Sequence, residues 1–390
     1  MTDNKLSSLP DDFCKFKKLR ILFLSNNNFT VLPTVLAKCP SLSMIGFRNN
    51  HIETVAENAL PLSTQWLILT DNAIETLPNS MGDLQHLQKC MLSGNRLTSL
   101  PETMRKCHKL ELLRIAVNHL EKLPDFLLDL PRLSWLAYGG NPFCAKHPNC
   151  DTPLSVVSWE RLKIQELLGE GASGLIYKAI YEGNEVALKV FKGDITSDGL
   201  PEEEMDINIS LGGHAHLVDV LARVTGHPEG KAVLMLELIP PHFYNLGLPP
   251  TLETCSRDVY PTGFSLMLDK TLKILQGVAD AAVHMHAHGI MHGDFYAHNI
   301  MINNDANVIL SDFGGASYFE PHEVETHNAL ERLEVRAFGC LMEELLALSI
   351  EDESNDQLRE LLVTLKNDCL TLENAKRPLF EKVERKLNSM

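Results

Sequence analysis

His292-Gly293-Asp294-Phe295-Tyr296-Ala297-His298-Asn299, followed by Asp312-Phe313-Gly314, decides the fold of the C-terminal half. An Asp and an Asn stand five residues apart, and a second Asp follows the Asn by thirteen. A carboxylate placed this way orients an attacking hydroxyl. An amide oxygen and a second carboxylate are the donors a hard divalent cation takes when it is held against phosphates. Neither run means much alone. Their order and spacing together carry the inference.

Upstream, Gly169-Glu170-Gly171-Ala172-Ser173-Gly174-Leu175-Ile176 is a glycine-rich turn, and Lys189 of Val186-Ala187-Leu188-Lys189 lies fifteen residues after Gly174. Glycines alone would also fit a dinucleotide fold, but that fold opens a helix after them. Leu175-Ile176-Tyr177-Lys178-Ala179-Ile180 reads as a strand instead. The acidic run Pro201-Glu202-Glu203-Glu204-Met205-Asp206-Ile207 follows, and then His214-Ala215-His216-Leu217-Val218.

Over residues 160–390 these ordered motifs resemble the eukaryotic-like protein kinases. The resemblance implies an α+β two-lobed domain using ATP and Mg²⁺. Gly169, Gly171 and Gly174 would cover the phosphates, with Ile176 and Ala187 in the nucleotide site. Lys189 would contact the α/β-phosphates and pair with Glu204, which fits best by its distance to His214-Ala215-His216-Leu217-Val218. Glu237 and Leu238 of Leu236-Glu237-Leu238-Ile239 would offer backbone groups to the adenine edge. Asp294 would orient the hydroxyl, and Asn299 and Asp312 would hold the metal. Arg377-Pro378-x-Phe380 resembles the ending of the fold.

The pattern departs from the family in three places. Gly293 replaces an Arg that commonly binds a phosphorylated activation loop, which predicts activity independent of such phosphorylation. Tyr296 replaces a Lys that helps neutralise the γ-phosphate, which predicts a slower enzyme, a substituted cation, or no protein-kinase activity. The segment between Gly314 and Glu334-Val335-Arg336-Ala337-Phe338-Gly339 is about half the usual length, judged by motif order. Glu320-Pro321 comes too early to be its A-P-E. The favoured function is a serine/threonine-type protein kinase acting on a protein hydroxyl, autophosphorylation included. H-G-D-x-x-x-x-N also resembles aminoglycoside and choline kinase-like phosphotransferases. A repeat scaffold with a weakly active or inactive kinase is the third possibility, against which retention of Lys189, Asp294, Asn299 and Asp312 argues.

The N-terminal part is periodic. Asn4, Asn27, Asn50, Asn72, Asn95, Asn118 and Asn141 are spaced 23, 23, 22, 23, 23 and 23 residues apart. Leu19, Leu22, Leu24 and Phe29 frame Asn27, and Leu110, Leu113, Ile115 and Leu120 frame Asn118. Leu-Pro recurs at Leu9-Pro10, Leu32-Pro33, Leu77-Pro78, Leu100-Pro101 and Leu123-Pro124. This resembles the leucine-rich repeat, an α/β solenoid in which stacked Asn side chains bond the backbone where each strand turns out. Thr64 in place of a framing leucine predicts a looser repeat. The concave face would carry Phe23, Met44, Trp66, Met91, Leu112, Arg114 and Trp135, an apolar and aromatic column. A separate protein partner on that face is favoured over packing against the chain's own kinase half. The expected organisation is a leucine-rich-repeat domain at 1–150, a short linker at 151–159 and a protein-kinase-like domain at 160–390.

The net charge of −16 argues against nucleic-acid or anionic-membrane partners. The start of the chain has no secretory signal and no run is long enough to span a bilayer, so a cytoplasmic signalling protein is expected. The nine cysteines are scattered. Cys144-x-x-His147-x-x-Cys150 lacks a fourth metal ligand, and the run His284, His286, His288, His292 reads as ordinary for this loop region.

Overall fold

The computed structural model describes residues 1–144, 154–171, 173–193, 196, 198–319, 324–350 and 356–390. His147, Cys150, Glu320 and Pro321 lie outside the described residues. Residues 1–144 form a solenoid whose six short strands are Ile21–Phe23 (β1), Met44–Gly46 (β2), Trp66–Ile68 (β3), Lys89–Met91 (β4), Leu112–Arg114 (β5) and Trp135–Ala137 (β6). They stack in parallel, in order, so that Met44, Trp66, Lys89, Leu112 and Trp135 fall in one column. Each Leu-Pro ends a repeat's extended segment, and a 3₁₀ turn begins directly after Pro10, Pro33, Pro78, Pro101 and Pro124. The Asn ladder is formed. Asn50 Oδ1 accepts from Phe29 N at 3.1 Å, Asn95 from Ile74 N at 3.1 Å and Asn118 from Leu97 N at 3.0 Å. Their Nδ2 groups donate to carbonyls of two successive repeats. Thr64 does not loosen its repeat: it is fully buried, and its hydroxyl donates to Pro61 O at 2.6 Å.

The small lobe is one sheet ordered β7-β11-β12-β10-β9-β8. Its strands are Ser155–Ser158 (β7), Lys163–Glu170 (β8), Gly174–Tyr181 (β9), Asn184–Phe191 (β10), Val220–Thr225 (β11) and Val233–Glu237 (β12). Helix Pro201–Leu211 (α1) lays Met205 and Ile209 against Ala187, Phe191, Leu234 and Leu236 of this sheet. β7 corrects the expected linker. Ser155–Ser158 pairs in parallel with β11, because Val157 has a core to enter beside Ala222, Val224 and Val233.

The large lobe holds Tyr244–Asn245 (β13), Leu268–Ala287 (α2), Ile290–Met291 (β14), Ile300–Ile302 (β15), Val308–Leu310 (β16), Ser317–Tyr318 (β17), Val324–Leu348 (α3), Asp356–Cys369 (α4) and Phe380–Asn388 (α5). α2 and α3 contribute Ile274, Val278, Ala282, Val335, Phe338 and Met342 to one core. No helix among the described residues is long and apolar enough to cross a membrane.

The two hydrophobic cores exchange residues. Leu112 and Trp135 of the solenoid belong to the large-lobe core, whereas Met291, Phe319, Leu330 and Leu333 of the large lobe close the C-terminal end of the solenoid core. Buried apolar area of this kind is what holds domains in a fixed relation.

Candidate active site

β10 carries Lys189 with its side chain toward α1, where its ammonium pairs with the Glu204 carboxylate. Glu204 is buried on the first turn of the helix, and its Oε2 has no hydrogen-bond partner among the described residues. Beneath this pair, a 3₁₀ turn at Ala297–Asn299 brings Asn299 back over the preceding loop. Asn299 Nδ2 donates to both the carbonyl and Oδ2 of Asp294, each at 2.9 Å. That bonding commits the amide nitrogen and leaves Asn299 Oδ1 as an oxygen donor. Asp312 sits in the left-handed region at φ +60° and accepts from Gly314 N at 3.3 Å. Phe313 packs beside His292 at 5.3 Å between rings.

The glycine turn differs along its length. A Cβ on Gly174 would meet Val190 O at 2.8 Å, so the fold itself demands glycine there. At Gly169 a Cβ would meet nothing within 4 Å, and at Gly171 only the Gly174 carbonyl at 4.0 Å. Open space beside those two is what a phosphate chain approaching the backbone requires. Ile176 and Ala187 lie on the adjacent strands β9 and β10, and Glu237 ends β12 with Leu238 following it. A cavity of about 480 Å³ behind this connection is lined by Val218, Glu237, Leu238, Pro240 and Phe243.

The concave face of the repeats meets the catalytic loop directly. Arg114 of β5 pairs with Asp294 Oδ1, donates from Nη1 to Gly293 O at 2.7 Å, and pairs from Nε with Asp198 Oδ1 at 2.7 Å. Trp135 of β6 stacks on Tyr296 at 4.3 Å and 6°, and its indole N–H donates to Phe295 O at 3.1 Å. Arg257 covers its other side at 5.5 Å. Further bonds fasten the interface: Ser317 Oγ accepts from Tyr138 N and Gly139 N at 3.2 and 3.0 Å, Arg336 donates to Ser134 Oγ at 2.7 Å, and Arg377 donates to Pro131 O at 3.0 Å. This corrects the partner expectation for Leu112, Arg114 and Trp135. They are 2%, 1% and 1% exposed, and what buries them is the chain's own large lobe. Met91 packs partly against the same core. Phe23 and Trp66 stay half-buried, and Met44 is buried within the sheet.

The loop's departures follow from this contact. Gly293 has φ +71°, and a Cβ there would stand 2.7 Å from Leu136 O of the repeats and closer still to Gly315 O. No side chain fits, Arg included. Tyr296 turns a flat ring to Trp135 where a Lys would end in a charge. Arg114 brings a guanidinium from the repeat sheet onto this loop, against the Asp294 carboxylate and the Gly293 carbonyl. Burial works to raise the Asp294 carboxyl, but Arg114, then His298, His292 and the Asn299 bond outweigh it and hold it below the usual range. His298 is raised: burial opposes its charge, but its bond to Asp258 at 2.7 Å and the nearby Asp294 and Asp312 favour it.

Comparison with known proteins agrees with this architecture. Residues 162–333 match the protein kinase domain and residues 1–52 match the leucine rich repeat. A protein of Acanthamoeba polyphaga mimivirus named as a serine/threonine-protein kinase, L673, is 25% identical over 228 residues, covering 52% of this chain and 39% of that protein. Cell division control protein 2 homolog 3 of Trypanosoma brucei brucei is 29% identical over 178 residues, 44% of this chain and 52% of its own length. The serine/threonine-protein kinase-transforming protein mos of Myeloproliferative sarcoma virus is 29% identical over 192 residues, 45% and 56% of the two chains. The chain thus spans between 39% and 56% of these relatives. It carries a leucine-rich-repeat solenoid joined to a protein kinase domain, and its kinase relatives are of the serine/threonine type.

Proposed function

We propose that this chain is an ATP-dependent protein kinase of the serine/threonine type whose repeat sheet forms one wall of the active site. It transfers the γ-phosphate to a hydroxyl of a protein acceptor, its own chain included. The observation that carries the proposal is the simultaneous formation of the Lys189–Glu204 pair and the Asn299–Asp294 bonds.

Lys189 steadies the α/β-phosphates and Glu204 steadies Lys189. Gly169, Gly171 and Gly174 let the backbone approach the phosphates. Ile176, Ala187, Glu237 and Leu238 receive the adenine. Asp294, ionised and bonded on both oxygens, orients the acceptor hydroxyl and is a weak proton store. Arg114 is a positioning residue that fixes the Asp294 carboxylate and offsets its charge. Asn299 Oδ1 and the Asp312 carboxylate are the hard oxygen donors that Mg²⁺ takes. When bound, that ion neutralises charge on the phosphates. Catalysis here is positioning and charge neutralisation rather than covalent chemistry.

A partner or acceptor protein is received by the part of the concave face the kinase leaves open, at Phe23 and Trp66. Trp66 supports this: it is half-buried, and Lys89 lies 4.5 Å from its ring. Coverage of the catalytic loop by Trp135 and Arg114 favours, as a second reading, a small hydroxyl acceptor.

The test is turnover of γ-labelled ATP with Mg²⁺ beside Asp294→Asn, with protein acceptors and small alcohols offered in parallel. Label on protein that disappears in Asp294→Asn is expected. Label on small alcohols alone would transfer the site to the second reading, and full activity in Asp294→Asn would remove Asp294 from its role.

A further inference from the structure

Of the histidines crowded before the catalytic loop, most are spoken for. His284 bonds Leu211 O at 2.7 Å, His288 bonds His284 O at 2.8 Å, and His292 contacts Ser311 O at 3.2 Å. His286 is different. It closes the last turn of α2, is 5% exposed, and uses Nε2 to bond Glu334 Oε2 at 2.7 Å. A carboxylate only accepts, so Nε2 carries the proton and Nδ1 keeps a free lone pair. That Nδ1 has no partner among the described residues. Alongside it on α3 is His327, its ring parallel to that of His286 at 6.4 Å between centroids; His327 Nε2 is also buried without a hydrogen bond among the described residues and lies 3.9 Å from Glu331 Oε2. His327 and Glu331 are one helical turn apart. One ligating atom from each of His286, His327 and Glu331 lies within 4.8 Å of the others.

We propose that His286, His327 and Glu331 form a Zn²⁺ site at the junction of α2 and α3, behind the catalytic loop. Two imidazole nitrogens and one carboxylate oxygen are a donor set for Zn²⁺, whereas Mg²⁺ and Ca²⁺ select oxygen alone. Bonds of about 2.0–2.2 Å to nitrogen and oxygen require the three atoms to draw together slightly, which side-chain torsions supply. The surroundings already orient the ligands. Glu334 fixes the His286 tautomer, the carboxylate–histidine–metal arrangement by which such sites are tuned. Glu331 Oε1 is fixed by Phe380 N at 2.6 Å. Phe319, 4.4 Å from His327, and Phe380, 5.4 Å from His286, form an apolar shell.

The site reaches the active centre in two bonds. Glu334 Oε1 accepts from Gly293 N at 2.5 Å, while its other oxygen holds His286. An ion on His286 therefore stiffens Glu334 and, through it, the backbone that carries Asp294. Three protein ligands leave the fourth position of a tetrahedral ion to water, and the ion ties α2, α3 and the start of α5 to the catalytic loop.

The test is metal analysis of full-length protein prepared with supplemented zinc, followed by exchange of Co²⁺ into chelator-treated protein. One equivalent of zinc and a visible Co²⁺ spectrum without a thiolate charge-transfer band are expected. His327→Ala and, separately, Glu331→Gln should each weaken zinc binding at least about a hundredfold. Cys144→Ser should leave it unchanged. Two variants are used so that a folding failure in one leaves the other, and both are compared with zinc-free wild type by thermal melting. Protein that holds no zinc and gives no Co²⁺ spectrum overturns the proposal. So does zinc that survives both variants or is lost with Cys144→Ser.

Discussion

Trp66 and Trp135 occupy equivalent positions in one solenoid, six residues before their repeat Asn, yet they have opposite fates. Trp135 is 1% exposed, stacked on Tyr296 and hydrogen-bonded to Phe295. Trp66 is half-buried with an unpaired indole nitrogen, edged by Phe23 at 6.3 Å. β1, β3 and β4 keep half-buried or exposed concave side chains, whereas β5 and β6 have spent theirs on the large lobe. The difference teaches that a periodic scaffold does not give its surface one function. Position along the stack decides whether a concave side chain stays partly open or is buried against the chain's own large lobe.

The largest effect that would break this comparison is expected at Arg114. Removing one partner of a buried ion pair costs roughly 3–5 kcal/mol, because it leaves the Asp294 carboxylate without its guanidinium. Turnover should fall about a hundredfold in Arg114→Ala, by analogy with loss of one aimed donor in a preorganised site. Arg114→Lys should recover little, since one ammonium cannot serve Asp294, Asp198 and the Gly293 carbonyl together. Faster turnover in Arg114→Ala would instead make the contact a brake.

Next comes the tryptophan pair. Trp135→Ala should lower stability by about 3–5 kcal/mol, the usual cost of truncating a buried aromatic. Trp66→Ala should cost clearly less in chemical denaturation and leave ATP turnover intact, while weakening use of a protein acceptor. Equal losses at the two sites would erase the distinction between the halves.

A pH effect sharpens the picture where the repeats touch α1. Burial against Gly139 and Gly140 pushes the Glu203 carboxyl up to about 7, although the Gly140 N–H pulls it back and Asp206 adds to the rise. The folded state therefore holds a proton that the unfolded chain releases near pH 4.3. Stability from this group is fully present below that value and lost as pH rises toward about 7. Glu203→Gln should flatten this decline in melting temperature, with its gain greatest above pH 7 and near zero at pH 4.

The smallest effect concerns backbone strain. Asn26, Asn49, Asp71, Gly94, Val117 and Gly140 all take positive φ, each one residue before a ladder Asn. Val117, at φ +53°, is the β-branched exception. Val117→Asn should stabilise the fold by about 1 kcal/mol in urea titration.

Both domains were legible in the sequence because each rests on repetition or chemistry. The Asn period fixes strand, turn and ladder in every repeat. The kinase motifs keep their order because phosphoryl transfer needs its groups at set separations, and Glu204 could be singled out from three adjacent glutamates by distance alone. What was not legible was the join. Arg114 and Asp294 are 180 residues apart, and neither carries a local signal of the other. Gly293 and Tyr296 read as losses, when Gly293 leaves room for Leu136 O and Tyr296 stacks on Trp135. A signal existed: a loop short of two cations and a buried-looking face with an unexplained Arg are complementary. β7 was read as tether because Ser155-Val156-Val157-Ser158 is too short to declare a strand without the edge of β11 to pair with. The His286–His327 approach was hidden for the same reason, since it joins two helices through tertiary packing.

The most direct test of the central claim, that the repeat sheet is physically part of the catalytic loop, is a double-mutant cycle in stability between Arg114→Met and Asp294→Asn. The expected coupling is at least about 1 kcal/mol, within the range for charged neighbours in one network. A coupling within about 0.3 kcal/mol of zero, as for independent sites, would contradict it.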